Sequence, residues 1–455
     1  MKRIYSIFIL LILLFPGRIF SQQIKIACIG NSITYGSGMA DSSKTSYPAQ
    51  LQYWMGKDYD VRNFAVSGAT LLRHGDKPYW DEVEYKQALD FNPAIVMIKL
   101  GTNDSKPQNW SFGSEYKQDY LDMIASFREL PSRPRILLIL PVPVFTEEKW
   151  GIRDSIVSKV IIPELKEIAE QSGSELIDLY SPLLDYGQFF PDQIHPDPLG
   201  ASIMVEIIYR KLFLKTKEDG GGNFNPCTHP VPSFEYRSGA GWGEGNDWFS
   251  QHEAINKIGE ERKVQLVFLG NSITQSWGGE GRQVWSPVKE LWDSLYQPLE
   301  AANYGISGDR TQQIIWRIQN GNFDKIKPKL VILTIGVNNF RSNTTDDIAE
   351  GIKAIVSNLR KKLPSSSILL LGPFPTGANE DDPMRITYRR VHQLIAPLGK
   401  LNKVIYKNIG EPYILEDGTL NYTLMREDNV HLAPKGYYIW AESIQSVIDK
   451  VFGKD

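Results

Sequence analysis

Short apolar runs rich in β-branched residues recur along this chain, with longer amphipathic stretches between them. In the first half the runs are Ile24–Ile29, Val61–Phe64, Ala94–Leu100, Arg135–Leu140 and Glu175–Leu179. Helical periodicity fills Glu115–Leu130 and Ser155–Gln171. In the second half a helical stretch, Trp248–Ile258, precedes runs at Val264–Leu269, Leu299–Asn303, Leu330–Ile335, Ser367–Leu371 and Val404–Tyr406. Each half closes on an amphipathic stretch, Gly200–Phe213 and Lys435–Phe452. Runs without polar alternation predict strands buried on both faces. Their alternation with helices predicts a parallel sheet covered on both sides, an α/β fold, in each half.

The pattern stops between residues 215 and 246. Gly220, Gly221, Gly222, Pro226, Pro230, Pro232, Gly239, Gly241 and Gly243 mark a linker or an extended packing segment. The expected organisation is therefore residues 1–22, a unit at 23–214, a linker at 215–246 and a second unit at 247–455. Lys2 and Arg3 followed by the apolar stretch Ile4–Phe15, with Ser21 before a cleavage point near Gln22, read as a signal peptide. The apolar stretch is short for a bilayer span. The alternative is a retained anchor, but no polar stalk separates it from the first strand. A lipid anchor on Cys28 would cut into that strand. The expectation is an exported protein, periplasmic or extracellular, with no stable membrane insertion after cleavage.

The two halves also share chemistry. Gly30-Asn31-Ser32-Ile33 recurs as Gly270-Asn271-Ser272-Ile273, each copy just past the first strand of its unit. Asn63 to Gly68 and Asn303 to Gly308 share an Asn-x-x-x-Ser-Gly frame. Gly101-Thr102-Asn103 answers to Gly336-Val337-Asn338, and Asp192-x-x-His195 to Asp428-x-x-His431. The order is the same in both halves and the serine and glycine blocks keep one separation.

A serine past a strand lies at the carboxyl edge of a parallel sheet, where such folds bind ligands. Alone it is more simply a helix cap. An Asp three residues before a His can orient the imidazole and stabilise its protonated form. Such an imidazole can take the proton of a serine hydroxyl. Alone that Asp too reads as a cap, and recurrence of both together favours the chemical reading. Gly68 and Gly308 allow close backbone approach. Asn103 and Asn338 bring N–H donors to the same edge, where an oxyanion would need them.

Composition adds exclusions. The chain has 455 residues, 42% hydrophobic and 23% charged, with a net charge of −3. That is a globular composition without the basic footprint of nucleic-acid binding. The two cysteines, Cys28 and Cys227, do not make a disulfide framework and are expected to be unpaired.

These blocks resemble the SGNH (GDSL-like) hydrolase superfamily, over nearly all of both units. The resemblance implies two tandem flavodoxin-like three-layer α/β/α sandwiches, each with a mainly parallel five-stranded sheet. It implies Ser32 and Ser272 as nucleophiles, His195 and His431 as bases, and Asp192 and Asp428 as their orienting acids. It implies an oxyanion hole from Gly68 and Asn103 in the first unit and Gly308 and Asn338 in the second, with no metal and no other cofactor. The first unit, with Gly101-Thr-Asn-Asp104 and Asp192-Gln-Ile-His-Pro196, is similar to bacterial esterases acting on carbohydrate esters. The second, with Gly305-Ile-Ser-Gly-Asp-Arg-Thr311 and Asp428-Asn-Val-His-Leu432, is similar to platelet-activating-factor acetylhydrolase catalytic subunits. Asn31 and Asn271 stand where the family often has Asp, and Val337 where it often has Thr. The expected substrate is a small O-acyl ester, acetyl first, on a carbohydrate. Lipid or aryl esters are the alternative, as is one unit acting only as a glycan-binding module. Trp80, Trp110, Trp277 and Trp285 are candidates for sugar stacking, with loop packing as the equal alternative.

Overall fold

Each half of the chain folds its apolar runs into one sheet. The structure is a computed structural model that describes residues 23–147, 149–213, 225–235, 237, 240, 247–279 and 285–453. The expected signal peptide and the glycine run of the expected linker lie outside the described residues.

In the first unit β1 (Ile24–Gly30), β2 (Tyr59–Asn63), β3 (Ile95–Lys99), β4 (Arg135–Ile139) and β5 (Glu175–Ile177) form a sheet of order β2-β1-β3-β4-β5. In the second, β6 (Leu266–Gly270), β7 (Ala301–Gly305), β8 (Leu330–Thr334), β9 (Ser367–Leu370) and β10 (Val404–Tyr406) repeat that order as β10-β9-β8-β6-β7. Every pairing is parallel. The sheets are thus wholly parallel, in the flavodoxin-like order whose switch point lies between the first and third strands. Alternation along β1 explains the absence of polar positions: Ile26 and Cys28 enter one core layer, Ala27 and Ile29 the other. The closing helices, Pro198–Phe213 and Pro434–Phe452, begin just past the two histidines.

Several boundaries shift from the sequence reading, those of β2 and β6 by up to two residues, and three further elements differ in kind or extent. The helix expected over Ser155–Gln171 is broken into Asp154–Ile156, a π turn at Val157–Ile161 and a helix at Ile162–Ser172. Pro163 has no N–H to give and its ring crowds the preceding turn, which the wider π turn relieves. β5 stops at Ile177, because Asp178 Oδ1 accepts the N–H groups of Tyr180 and Ser181 and turns the chain. Leu299 lies in a 3₁₀ turn, and Glu300 at φ 51° precedes β7.

The segment read as a linker is ordered over residues 225–235 and packs on both units. Asn225 Nδ2 donates to the Asp347 carbonyl (3.0 Å), and the buried Cys227 thiol accepts from Asn339 (3.4 Å). On its other side the His229 ring lies 5.0 Å from both Trp54 and Tyr209, and Phe234 lies 5.5 Å from Tyr53. Both cysteines are buried and free. No described helix is long and apolar enough to cross a membrane.

Candidate active sites

Each serine is set by a tight strand-to-helix corner. β1 ends at Gly30, Asn31 is extended, and Ser32 opens a single helical turn, Ser32–Tyr35. Asn31 Oδ1 caps that turn by accepting the Ile33 N–H (3.2 Å). Asn271 does the same for Ile273 (3.1 Å) ahead of Ser272–Gln275. An Asn therefore serves the capping role an Asp would. The glycines are required because the turn folds back on the strand. A Cβ at Gly30 would lie 2.1 Å from Thr34 Oγ1, and one at Gly270 2.2 Å from Thr274 Oγ1.

The histidines come from the loop after the fifth strand. Asp192 Oδ1 accepts the N–H groups of Ile194 (2.9 Å) and His195 (2.7 Å). Its Oδ2 pairs with His195 Nδ1 at 2.7 Å, and His195 Nε2 lies 2.8 Å from Ser32 Oγ. In the second unit Asp428 Oδ1 accepts from Val430 (3.0 Å) and His431 (2.8 Å). Its Oδ2 pairs with His431 Nδ1 at 2.9 Å, and His431 Nε2 lies 2.9 Å from Ser272 Oγ. Gln193 and Asn429, one residue after each acid, both have positive φ, which curls the loop enough for the acid to reach forward. Nδ1–H donation to the carboxylate leaves Nε2 as the acceptor facing the hydroxyl. Partial burial pushes the Asp192 carboxyl up, but the backbone N–H and the imidazole of His195 outweigh it, and the carboxyl stays below its ordinary range. Asp428 is lowered against partial burial by the N–H groups of His431 and Val430 and by the His431 ring. Both acids therefore remain ionised partners of their imidazoles.

Gly68 and Gly308 sit at φ 87° and 88°, a left-handed conformation that favours glycine. Asn103 Nδ2 donates to the Ala69 carbonyl (3.0 Å) and Asn338 Nδ2 to the Asp309 carbonyl (2.9 Å). Each amide has two hydrogens. One braces the loop that carries the glycine, and the other can serve an incoming oxygen. The structure thus joins the serine, histidine and acid of each unit in one hydrogen-bond chain, and ties each asparagine to the loop that carries its glycine.

It also shows supports that reading missed. Asn63 Nδ2 donates to the Thr34 carbonyl (2.9 Å), and Asn303 Nδ2 to the Thr274 carbonyl (3.0 Å), so the Asn of the shared frame ties the serine turn to the second strand. Asp104 accepts the N–H groups of Leu71 and Leu72 (both 2.9 Å), and burial raises its carboxyl to about 6. Asn339 holds that place in the second unit and accepts from Thr311 (3.1 Å). The shared frame was the available signal for Asn63 and Asn303. The Asp-to-Asn change hid the other pair.

The surroundings differ. His195 is 11% exposed and His431 30%. Over the first site lies the corner Lys149–Gly151, with Lys149 Nζ donating to the Asp192 carbonyl (2.8 Å). The second site opens beside a cleft lined by Trp285, Met425, Arg426, Asp428 and Pro434. Gly308 is covered by the Arg237–Glu235 ion pair from the interdomain segment, while a Cβ at Gly68 would meet only Lys77 at 3.6 Å. Of the four tryptophans considered for stacking, Trp277 is fully buried. Trp80 is stapled by Arg73 at 3.5 Å, and Trp110 packs on Tyr116. Trp80 and Trp110 are half-buried against those neighbours, and of the four Trp285 is the exposed one. Among the described residues no group of three or more His, Cys, Asp and Glu is placed to hold a metal ion.

The model of the GDSL-like lipase/acylhydrolase family matches this chain twice, over residues 28–203 and 268–439. An acetylxylan esterase of Xylanibacter ruminicola is 45% identical over 205 residues, 41% of this chain and 42% of that protein. The chain thus spans less than half the length of that relative. Platelet-activating factor acetylhydrolase IB subunit alpha1 of Rattus norvegicus is 30% identical over 236 residues, 52% of this chain and 94% of that protein. Among solved structures, a GDSL-like lipase from Bacteroides thetaiotaomicron aligns with a TM-score of 0.36 and 19% identity, covering 44% of this chain and 97% of that one.

Proposed function

The chain belongs to the GDSL-like lipase/acylhydrolase family and is a carboxylic ester hydrolase, and from that premise we propose that each unit removes small O-acyl groups, acetyl above all, from carbohydrates. The observation that carries this reading is the pair of unbroken Ser–His–Asp hydrogen-bond chains. Ser32 or Ser272 attacks the ester carbonyl while His195 or His431 takes its proton at Nε2. Asp192 or Asp428 holds the ring and stabilises its charged form. Negative charge on the carbonyl oxygen meets the N–H groups of Gly68 and Asn103, or of Gly308 and Asn338. The imidazolium then protonates the departing sugar oxygen, which leaves as the free hydroxyl while the acyl group stays on the serine. Water, deprotonated by the same imidazole, hydrolyses that ester and returns the serine. The acetylxylan esterase relative supports a glycan as the alcohol. The N-terminal segment supports export, which would put the enzyme where polysaccharides are.

The test is acetate release from acetylated xylan and pectin by the wild type, Ser32→Ala, Ser272→Ala and the double variant. Each single change is expected to remove the share of activity belonging to its own site, and the double change to lower release by about 10⁴-fold or more. Full wild-type activity in each single variant on every substrate overturns the two-site reading. Preference for octanoate over acetate on nitrophenyl esters turns it toward lipid substrates.

A further inference from the structure

Two exposed tryptophans stand beside the two acid–imidazole pairs, and each carries a cation. Trp150 is 59% exposed, and its ring centroid lies 5.6 Å from that of the His195 imidazole. Its backbone is left-handed (φ 55°, ψ 25°), a conformation residues with a Cβ rarely adopt. Gly151 follows at φ 75°. Lys149 Nζ lies 5.0 Å over the Trp150 ring and is the group that donates to the Asp192 carbonyl. The corner is thus anchored on the acid of the site, and its twist turns a large apolar ring outward.

In the second unit Trp285 is 50% exposed, with the Arg426 guanidinium 4.9 Å from its ring centroid. The Arg426 N–H donates to the His431 carbonyl (2.8 Å), and Arg426 Nε lies 4.0 Å from Asp428 Oδ2. Trp285 and Asp428 line one cleft.

The two tryptophans do not occupy matching positions. Trp150 follows β4, and Trp285 lies between β6 and β7. All the acyl-transfer residues do match between the units. The same device, a solvent-facing indole with a cation on it and anchored beside the acid, is therefore built from different loops. An indole face takes the C–H face of a sugar ring, and a neighbouring cation can hold its hydroxyls.

We propose that Trp150 and Trp285 are sugar-ring platforms, each seating a pyranose of an acylated glycan beside the serine of its unit. One abuts the imidazole and the other the arginine next to the acid, so the two sites present different ester positions to their serines. This rests on the carbohydrate reading above. The test compares kcat/KM on an acetylated xylo-oligosaccharide with kcat/KM on nitrophenyl acetate, which has no sugar. Trp150→Ala is made in the Ser272→Ala chain and Trp285→Ala in the Ser32→Ala chain. The glycan-to-nitrophenyl ratio is expected to fall about tenfold, mostly through KM, with Trp→Phe restoring most of it. A ratio that does not move, or a parallel fall on both substrates, overturns the platforms while leaving the carbohydrate reading intact. A wild-type chain that cleaves nitrophenyl acetate and no acetylated glycan overturns that reading and the platforms together.

Discussion

Lys99 is a residue whose environment is at odds with its chemistry. It lies in β3, is 1% exposed, and among the described residues its ammonium has no hydrogen-bond partner. Burial pulls it down to about 7. The registers Gly30↔Lys99 and Gly270↔Thr334 show that Thr334 is its counterpart, and that hydroxyl donates to the Gly372 carbonyl (2.5 Å). A lysine whose folded pKa is depressed binds its proton less readily than the unfolded chain, so stability falls as pH drops from about 10 toward about 7 and levels off below. Lys99→Met is expected to stabilise the first unit by about 1–3 kcal/mol at pH 7. In denaturant unfolding its advantage should be largest at pH 7 and below and shrink toward pH 10. An advantage independent of pH contradicts this account. In the sequence Lys99 is one charged letter in an apolar run, and nothing local says that its amine goes unmatched. The serine and histidine were legible because they occur twice in one order. Trp150 was not, because what sets it apart is a backbone twist and a distance to a residue far along the chain.

The strand-to-helix corner is the element on which both sites depend. Its motif reads from the sequence as strand, small residues, serine, but the reason for the glycine needs the third dimension. A Cβ at Gly30 would strike the Thr34 side chain, and one at Gly270 would also come 2.4 Å from the Thr334 carbonyl on the next strand. Gly30→Ala and Gly270→Ala are each expected to cost about 1–3 kcal/mol, with Gly270→Ala the more severe because backbone must move. Each should depress turnover at its own serine while sparing the other, as measured in chains with the opposite serine changed to Ala. Unaltered stability and turnover in both would show that the corner tolerates a side chain and that its packing is misread. The identity of the central strands was legible because both their faces are apolar. The π turn at Val157–Ile161 was not, since periodicity continues across Pro163 and the break is steric.

Across the whole molecule, duplication gives two Ser–His–Asp chains, and much of what differs around them comes from the parts that are not duplicated. Residues 225–235 pack on Trp54 and Tyr209 of the first unit and on the helices Thr311–Gln319 and Thr345–Lys362 of the second. The segment's last residue, Glu235, closes over Gly308 together with Arg237. The second site therefore borrows part of its wall from outside the repeated fold. Glycine and proline content marked this stretch as neither helix nor strand. It did not separate a free tether from a packed strap, because that depends on which surfaces the two units offer it. The central claim is that each unit carries its own nucleophile activated by its own imidazole. Intact-mass measurement after exposure to a serine-directed fluorophosphonate tests it most directly. Two adducts are expected on the wild-type chain, one on Ser32→Ala, one on Ser272→Ala and none on the double variant. A wild-type chain that takes one adduct or none, or a double variant that is still labelled, contradicts it.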